Sequence, residues 1–358
     1  MEEQYRRKMI KTIVVGCVTL MILLTWGVVR MRMAAGLPAW GYGGGGPTST
    51  PMPTPTNTPG PTPTAPSGNP GNLESLPSAI RRPTPERPPS PFGEKIGFTS
   101  YRDGQPQVYL INSGGSGLLM LTNESNGAKV LGWTRAGWLA FMMWPDGQAV
   151  VCAMNAEGQE RTPLSGLPAD GLDYAWTVDG RYVAVSRSVR GNLDLFVMKH
   201  DGSQRNIVAS SPERDDQPSW SPDGNRLVFV SERDRREGDL YIVNRDGTEL
   251  VRLTDDDLSE ADPAWSPGGD HIAFVVSTEP RSQGGDIFII KTDGSDRQQL
   301  TGDPAEKRHP VWSPDGSRIA FQAYGNQGWG IYVLNLADGT ITPLASSDSD
   351  DIEPCWSP

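Results

Sequence analysis

Three residues ahead of six evenly spaced tryptophans stand Val130, Asp173, Gln217, Asp262, His309 and Glu353. Five of these six positions are polar and three carry a carboxylate. Carboxylate oxygens are the ligands that a hard cation such as calcium takes. They also pair with the arginine or lysine of a basic partner. His309 adds a ring nitrogen that could act as base or metal ligand; the competing reading is a solvated loop residue. The expected ligand- or partner-binding set is therefore Asp173, Gln217, Asp262, His309 and Glu353, with Asp173, Asp262 and Glu353 as the calcium ligands if a cofactor is bound at all. Against this stands the plainer reading that acidic loops keep the domain soluble.

Other chemistry finds little support. No nucleophile elbow, zinc-binding helix or P-loop occurs. The chain has three histidines, and besides His309 they are His200, beside an Asp-Gly turn, and His271, opening an apolar run. The stretch "SGGSGL" at 113–118 does not complete a G-x-S-x-G motif. Gly41, Gly43 and Gly46 fit G-x-G-x-x-G, but no strand precedes them and no helix follows. Cys17, Cys152 and Cys355 are too few for a disulfide framework; Cys152 and Cys355 sit in apolar text and read as buried free thiols. The expectation is a binding protein, not an enzyme.

What must position these residues is a repeat. Trp133, Trp176, Trp220, Trp265, Trp312 and Trp356 are 43, 44, 45, 47 and 44 residues apart, a period of propellers and arrays. Each repeat reads as four short strands, a to d. Strand a holds the Trp. A Ser-Pro-Asp-Gly turn follows, with Pro at a position that suits its fixed φ and Gly closing it. Strands b and c are apolar runs such as "RLVFVS" and "DLYIVN", joined onward by an Asp-Gly hairpin to a short strand d. Apolar runs without alternation suit sheets covered on both faces, as propeller blades are. Six b–c pairs begin near Ile96, Trp138, Tyr182, Leu227, His271 and Arg318. The first lacks a Trp strand before it, and the last Trp strand, "IEPCWSP", lacks a pair after it. The fold expected is all-β: a six-bladed β-propeller over 93–358 in which the C-terminal strand closes blade one.

The text D-x-x-P-x-W-S-P-D-G-x-x-I-A-F, followed by D-I-Y-V and D-G…L-T, resembles the TolB-like propeller repeat, found more loosely in propellers of the prolyl oligopeptidase group. The resemblance spans about 94–358 and is sharpest at 218–254, 263–301 and 310–344. It implies six blades, and it implies that strand a is innermost, so that the five polar residues ahead of the tryptophans lie at the mouth of a central channel. The chain differs from TolB and from the peptidases in what flanks the propeller: neither an α/β domain before it nor a hydrolase domain after it is expected.

In such a blade the a–b and c–d turns share one face and the b–c and d–a loops the other. The first face is uniform and tight here. The second varies between blades, and loops on a rigid scaffold are where binding concentrates. The d–a loops hold sixteen Asp or Glu against four Lys or Arg. An acidic body of this kind excludes nucleic acid as a partner. It fits a basic extracytoplasmic protein or a cell-envelope ligand. The alternative is a propeller-based hydrolase or lyase with its site at the channel mouth.

The N-terminal quarter reads differently. Residues 1–92 carry nine Lys or Arg against four Asp or Glu, while the remainder carries 23 against 39. Residues 12–29 are an uncharged apolar stretch long enough to span a bilayer. Arg6, Arg7, Lys8 and Lys11 precede it, which places residues 1–11 in the cytoplasm. Arg30 and Arg32 directly after it argue for a retained signal anchor over a cleaved signal peptide. Residues 30–92 are a disordered Gly-, Pro- and Thr-rich linker, whose Pro-Thr alternation favours polyproline II and would reach on the order of 140 Å between Pro47 and Phe92 at full extension. The chain is thus expected to be a single-pass membrane protein with its propeller in the periplasm or at the cell surface. Protease added outside intact cells, after permeabilising any outer layer, should release a soluble acidic fragment; a propeller that stays protected would reverse the topology.

Overall fold

The computed structural model describes residues 94–135, 137–278, 284–325 and 327–358. The segments assigned above to tail, anchor and linker lie outside them, and among the described residues no helix is long and apolar enough to cross a membrane. The described chain forms six four-stranded antiparallel sheets.

Blade 1 is ordered Asp351–Trp356, Lys95–Ser100, Gln107–Asn112, Leu119–Met120, so the strand latest in sequence is its strand a. Blades 2 to 6 run in chain order from strands a that span Ala128–Arg135, Gly171–Trp176, Asp215–Trp220, Ser259–Trp265 and Lys307–Trp312. The all-β, six-bladed arrangement and its closure by residues 351–356 agree with the reading from sequence.

The Ser-Pro-Asp-Gly text folds as it does because its serine closes the turn from both sides. In blade 4, Ser221 Oγ donates to Asp223 Oδ1 (2.5 Å) and accepts from the Arg226 amide (2.9 Å), while Asp223 Oδ1 accepts from the Asn225 amide (3.1 Å). Ser313 and Asp315 repeat this in blade 6, and Thr177 and Asp179 do so in blade 3. The recurrent Leu-Thr ending strand d has a similar logic. The hydroxyls of Thr122, Thr254 and Thr301 accept from the amides of Val108, Leu240 and Ile287 at 2.8–2.9 Å, replacing ladder bonds that so short a strand cannot supply.

The apolar core is distributed between blades. Six clusters each join one blade to the next, and the mid-strand b phenylalanines Phe98, Phe141, Phe229, Phe274 and Phe321 are wholly buried. The tryptophans wedge between blades with an alternation the sequence does not reveal. Indole N–H groups of Trp133, Trp220 and Trp312 donate to the carbonyls of Cys355, Ala175 and Ala264, each the residue before the preceding blade's Trp. The indole nitrogens of Trp176, Trp265 and Trp356 have no hydrogen-bond partner. Two of these rings are instead capped by guanidinium groups, Arg226 over Trp265 and Arg318 over Trp356, both at 5.0 Å, a cation–π contact.

The ring closes through pairs such as Ile96 with Trp356 and Ser100 with Asp351. The Ser357 amide donates to Lys95 O (2.8 Å), and the buried carboxylate of Asp351 meets Arg102 at 2.9 Å. Gly97 permits the close approach: a Cβ there would stand 3.0 Å from Cys355 Sγ. Cys355 is half-buried and Cys152 buried, both as free thiols, and burial pushes both thiols up. Deleting residues 351–358 removes strand a of blade 1 and its buried Trp356. Truncating one such Trp costs about 3–5 kcal/mol, so the shortened domain should unfold at clearly lower temperature and denaturant; an unchanged melting curve would show that the closure carries no stability.

Candidate functional site

Strand a turns a corner where the five polar residues stand. Register breaks fall between Asp216 and Ser219, Ala261 and Ala264, and Arg308 and Val311, with an equivalent break opposite Gly97 and Thr99 in blade 1. Each is a β-bulge, a device that re-aims a side chain. At the bulge Gln217, Asp262, His309 and Glu353 adopt φ of +53°, +51°, +49° and +56°. Each is followed by a proline, Pro218, Pro263, Pro310 or Pro354. Left-handed backbone in a non-glycine residue persists only where its surroundings enforce it.

The surroundings here are the preceding blade. The Gln217 amide donates to Asp173 Oδ2 (3.2 Å), the Asp262 amide to Gln217 Oε1 (2.7 Å), and the His309 amide to Asp262 Oδ2 (2.9 Å). Each bulge side chain thus accepts the amide of the following blade's bulge. The relay breaks after His309, whose Nδ1 lies 3.3 Å from Asp262 Oδ1; the Glu353 amide donates to Gln322 Oε1 instead (2.7 Å). It resumes through Thr99, which donates to Glu353 Oε2 (3.1 Å) and accepts from the Val130 amide (3.0 Å). Val130 has no acceptor to offer, and the Asp173 amide donates to Ser186 Oγ (3.1 Å). The structure therefore links Asp173, Gln217, Asp262 and His309 in sequence and leaves Glu353 on a separate link with Lys129 (3.1 Å).

Among the described residues no three His, Cys, Asp or Glu side chains are grouped so as to hold a metal ion. Asp173 and Asp262 each commit one oxygen to an amide of the following blade, and Glu353 commits one to Lys129. His271, by contrast, is buried beside Asp270 (3.1 Å).

Sequence reasoning missed Asp216. It is fully buried, bonded to Arg214, and leaves Oδ1 without a partner. Burial, reinforced by Asp173 and Asp262 on the flanking blades, pushes its carboxyl up to about 7 in spite of Arg214. In blade 5, burial likewise raises Glu260 to about 8 although Arg297 stands 3.1 Å away. The only sequence sign was a doubled Asp215-Asp216 at a strand start, where the first residue takes Arg233 (2.8 Å) and the second faces the opposite way.

Charge on this face is unevenly compensated. Between blades 4 and 5 the acidic loop 255–260 is laced by Arg235, Arg252 and Arg297. Between blades 6 and 1, Asp351 and Glu353 are paired, but Asp348 and Asp350 have no cationic partner among the described residues.

The family model of the TolB beta propeller domain (PD40) matches residues 132–308 and 235–358. A "Protein TolB homolog" of Chlorobium luteolum is 31% identical over 171 residues, 46% of this chain and 38% of that protein. Another, of Chlorobium chlorochromatii, is 32% identical over 141 residues, 39% of this chain and 32% of that protein. The chain thus spans about a third of the length of these relatives. The crystal structure of TolB from Acinetobacter baumannii superposes with a TM-score of 0.64 at 18% identity, covering 75% of this chain and 67% of the other. At that identity the likeness shows the fold alone.

Raised carboxyls make the domain pH-sensitive in a defined direction. Asp216 would release its proton near 3.8 when unfolded but only near 7 when folded. Across that window the folded state binds more protons, so the contribution is present below about pH 4 and is lost as pH rises through 7. Stability of the native chain should fall from pH 5 to pH 8. Asp216→Asn should flatten that decline by an amount on the order of a few kcal/mol. Parallel pH profiles for the two proteins in urea would show that Asp216 is not the responsible group.

Proposed function

The chain belongs to the TolB beta propeller family, and from that premise we propose that it is a membrane-tethered, extracytoplasmic propeller that binds a basic protein of the cell envelope on its b–c and d–a loop face. The observation that carries this reading is the contrast between the two faces. The a–b and c–d turns are closed on themselves by Ser, Thr and Asp side chains. The opposite face holds the acidic loops, the bulges of strand a and the unpaired carboxylates. A scaffold that fixes such loops rigidly offers a preformed surface to a partner, and a field of one sign speeds its arrival.

The channel-mouth set Asp173, Gln217, Asp262, His309 and Glu353 supports the reading in a modified form: these residues tie neighbouring blades together, and the part-exposed Asp173, Gln217, His309 and Glu353 would present their remaining polar atoms to the partner while Asp262 stays buried behind them. An enzymatic reading would start from the pair His309 and Asp262, 3.3 Å apart.

Asp262→Asn with Glu353→Gln keeps an acceptor oxygen at each position and removes two charges. The wild-type chain, immobilised and exposed to solubilised native envelope, should retain a basic protein that is released by salt. The double variant should retain it about tenfold less well, through loss of the half-exposed charge of Glu353 and of the buried charge of Asp262 that contributes to the field of this face. Equal retention by both proteins at all salt concentrations would remove the acidic face from the proposal.

A further inference from the structure

Where blades 6 and 1 meet on the loop face, three loops are fastened by one residue. Asp350 Oδ1 accepts from the Trp329 amide (3.0 Å) in the b–c hairpin of blade 6. Its carbonyl accepts from the Tyr101 amide (2.9 Å) at the start of the b–c loop of blade 1. Gly328, at φ +119°, makes room for this: a Cβ there would lie 2.7 Å from Asp350 Oδ1. The loops so pinned display large aromatic side chains to solvent. Tyr324 is 54% exposed and Tyr101 40%, and Trp329 packs edge-on to Tyr324 with ring centres 5.5 Å apart. Exposed tyrosines beside a half-buried Trp on a rigid support are among the residue types on which binding energy concentrates.

Their neighbours decide what such a surface would take. Arg308 already lies over the Trp329 ring at 5.0 Å, so a guanidinium is a group this platform accommodates. The d–a loop pinned there carries Asp348 and Asp350, both exposed and without an ion-pair partner among the described residues, unlike the arginine-laced loop between blades 4 and 5. Aromatic faces next to uncompensated carboxylates suit a cationic side chain, which gains a cation–π contact and a charged hydrogen bond together.

We propose that the seam of blades 6 and 1, formed by Tyr101, Tyr324, Trp329, Asp348 and Asp350, is the docking site for an extended, arginine-bearing segment of the partner protein. This rests on the reading of the loop face as the binding face and assigns the seam as its anchor point. Asp350 fixes the loops and is therefore left intact in the test.

The probe is an acetylated, amidated tetra-arginine peptide, titrated into the full-length chain in detergent and followed by indole signals in NMR, with tetra-glutamate as control. Expected are saturable shifts at the Trp329 indole, weakened by salt, and affinity lowered about tenfold in both Tyr324→Ser and Asp348→Asn. Retained affinity in both, with loss in the Asp262→Asn and Glu353→Gln double variant, would overturn the seam while leaving the loop face as the binding face. Binding of tetra-glutamate as tightly as tetra-arginine, or no saturable binding of tetra-arginine, would overturn both. Self-association of the chain abolished by Tyr324→Ser, without peptide binding, would assign the seam to a second copy and overturn the peptide proposal.

Discussion

No blade of this propeller can bury its own faces. Strands b and c are apolar on both sides, and a four-stranded sheet covers neither, so each blade is stable only between two others. That requirement turns a linear repeat into a ring, and a ring must end where it began. The ladder between residues 95–100 and 351–356 satisfies it by building one blade from the first and last strands. The wedged tryptophans, the guanidinium caps and the six inter-blade clusters all presuppose that this last gap is filled.

The same requirement explains the strained corner of strand a. Antiparallel ladders bond strands within a blade, and between blades backbone meets backbone only at isolated contacts such as Ala128 with Pro106 and Gly285 with Lys307. The bulges at Gln217, Asp262 and His309 turn a backbone amide sideways, out of its own sheet and onto the side chain of the preceding blade. A left-handed residue ahead of a proline is costly in isolation, and it is held in place by that bond and by the packing of the Trp two residues beyond the proline. Polar residues that a sequence reader takes for a ligand shell also form part of the frame, with Asp216 buried among them and one carboxylate oxygen left without a partner.

Periodic features were legible from sequence because each repeat states them in the same register. Tryptophan spacing, the Ser-Pro-Asp-Gly turn and the unpaired end strands specify blade number and closure. Features that exist only between repeats were not. The relay from Asp173 to His309 needs knowledge of which amide turns outward, and neither a bulge nor a positive φ at Gln217 has a composition of its own. The alternation of tryptophan partners likewise exists only between blades: Arg226 and Arg318 at the starts of strands b cap Trp265 and Trp356 of the next blades, while Trp220 and Trp312 bond carbonyls of the preceding blades instead. Lys307 shows the same limit: nothing in its loop text marks it as buried, yet it is 1% exposed and held between Asp286 (2.9 Å) and Asp303 (3.0 Å), in the position that Asp215 and Asp351 take in blades 4 and 1. The seam aromatics Tyr324 and Trp329 were invisible for another reason, since an apolar strand end does not announce that its hairpin stands clear of the disc.

The way residue 95 enters the disc has a mechanical meaning. Strand Lys95–Ser100 lies second in its sheet, gripped on one side by Asp351–Trp356 and on the other by Gln107–Asn112. It starts at the tight-turn face and runs toward the loop face. A pull on the chain from the N-terminal side, resisted by whatever the loop face holds, acts along this strand. The load is then shared as shear by all rungs of two ladders at once, instead of opening them one by one from an edge. A strand threaded in this way resists a pull along the chain at residue 95 without its blade opening from an edge.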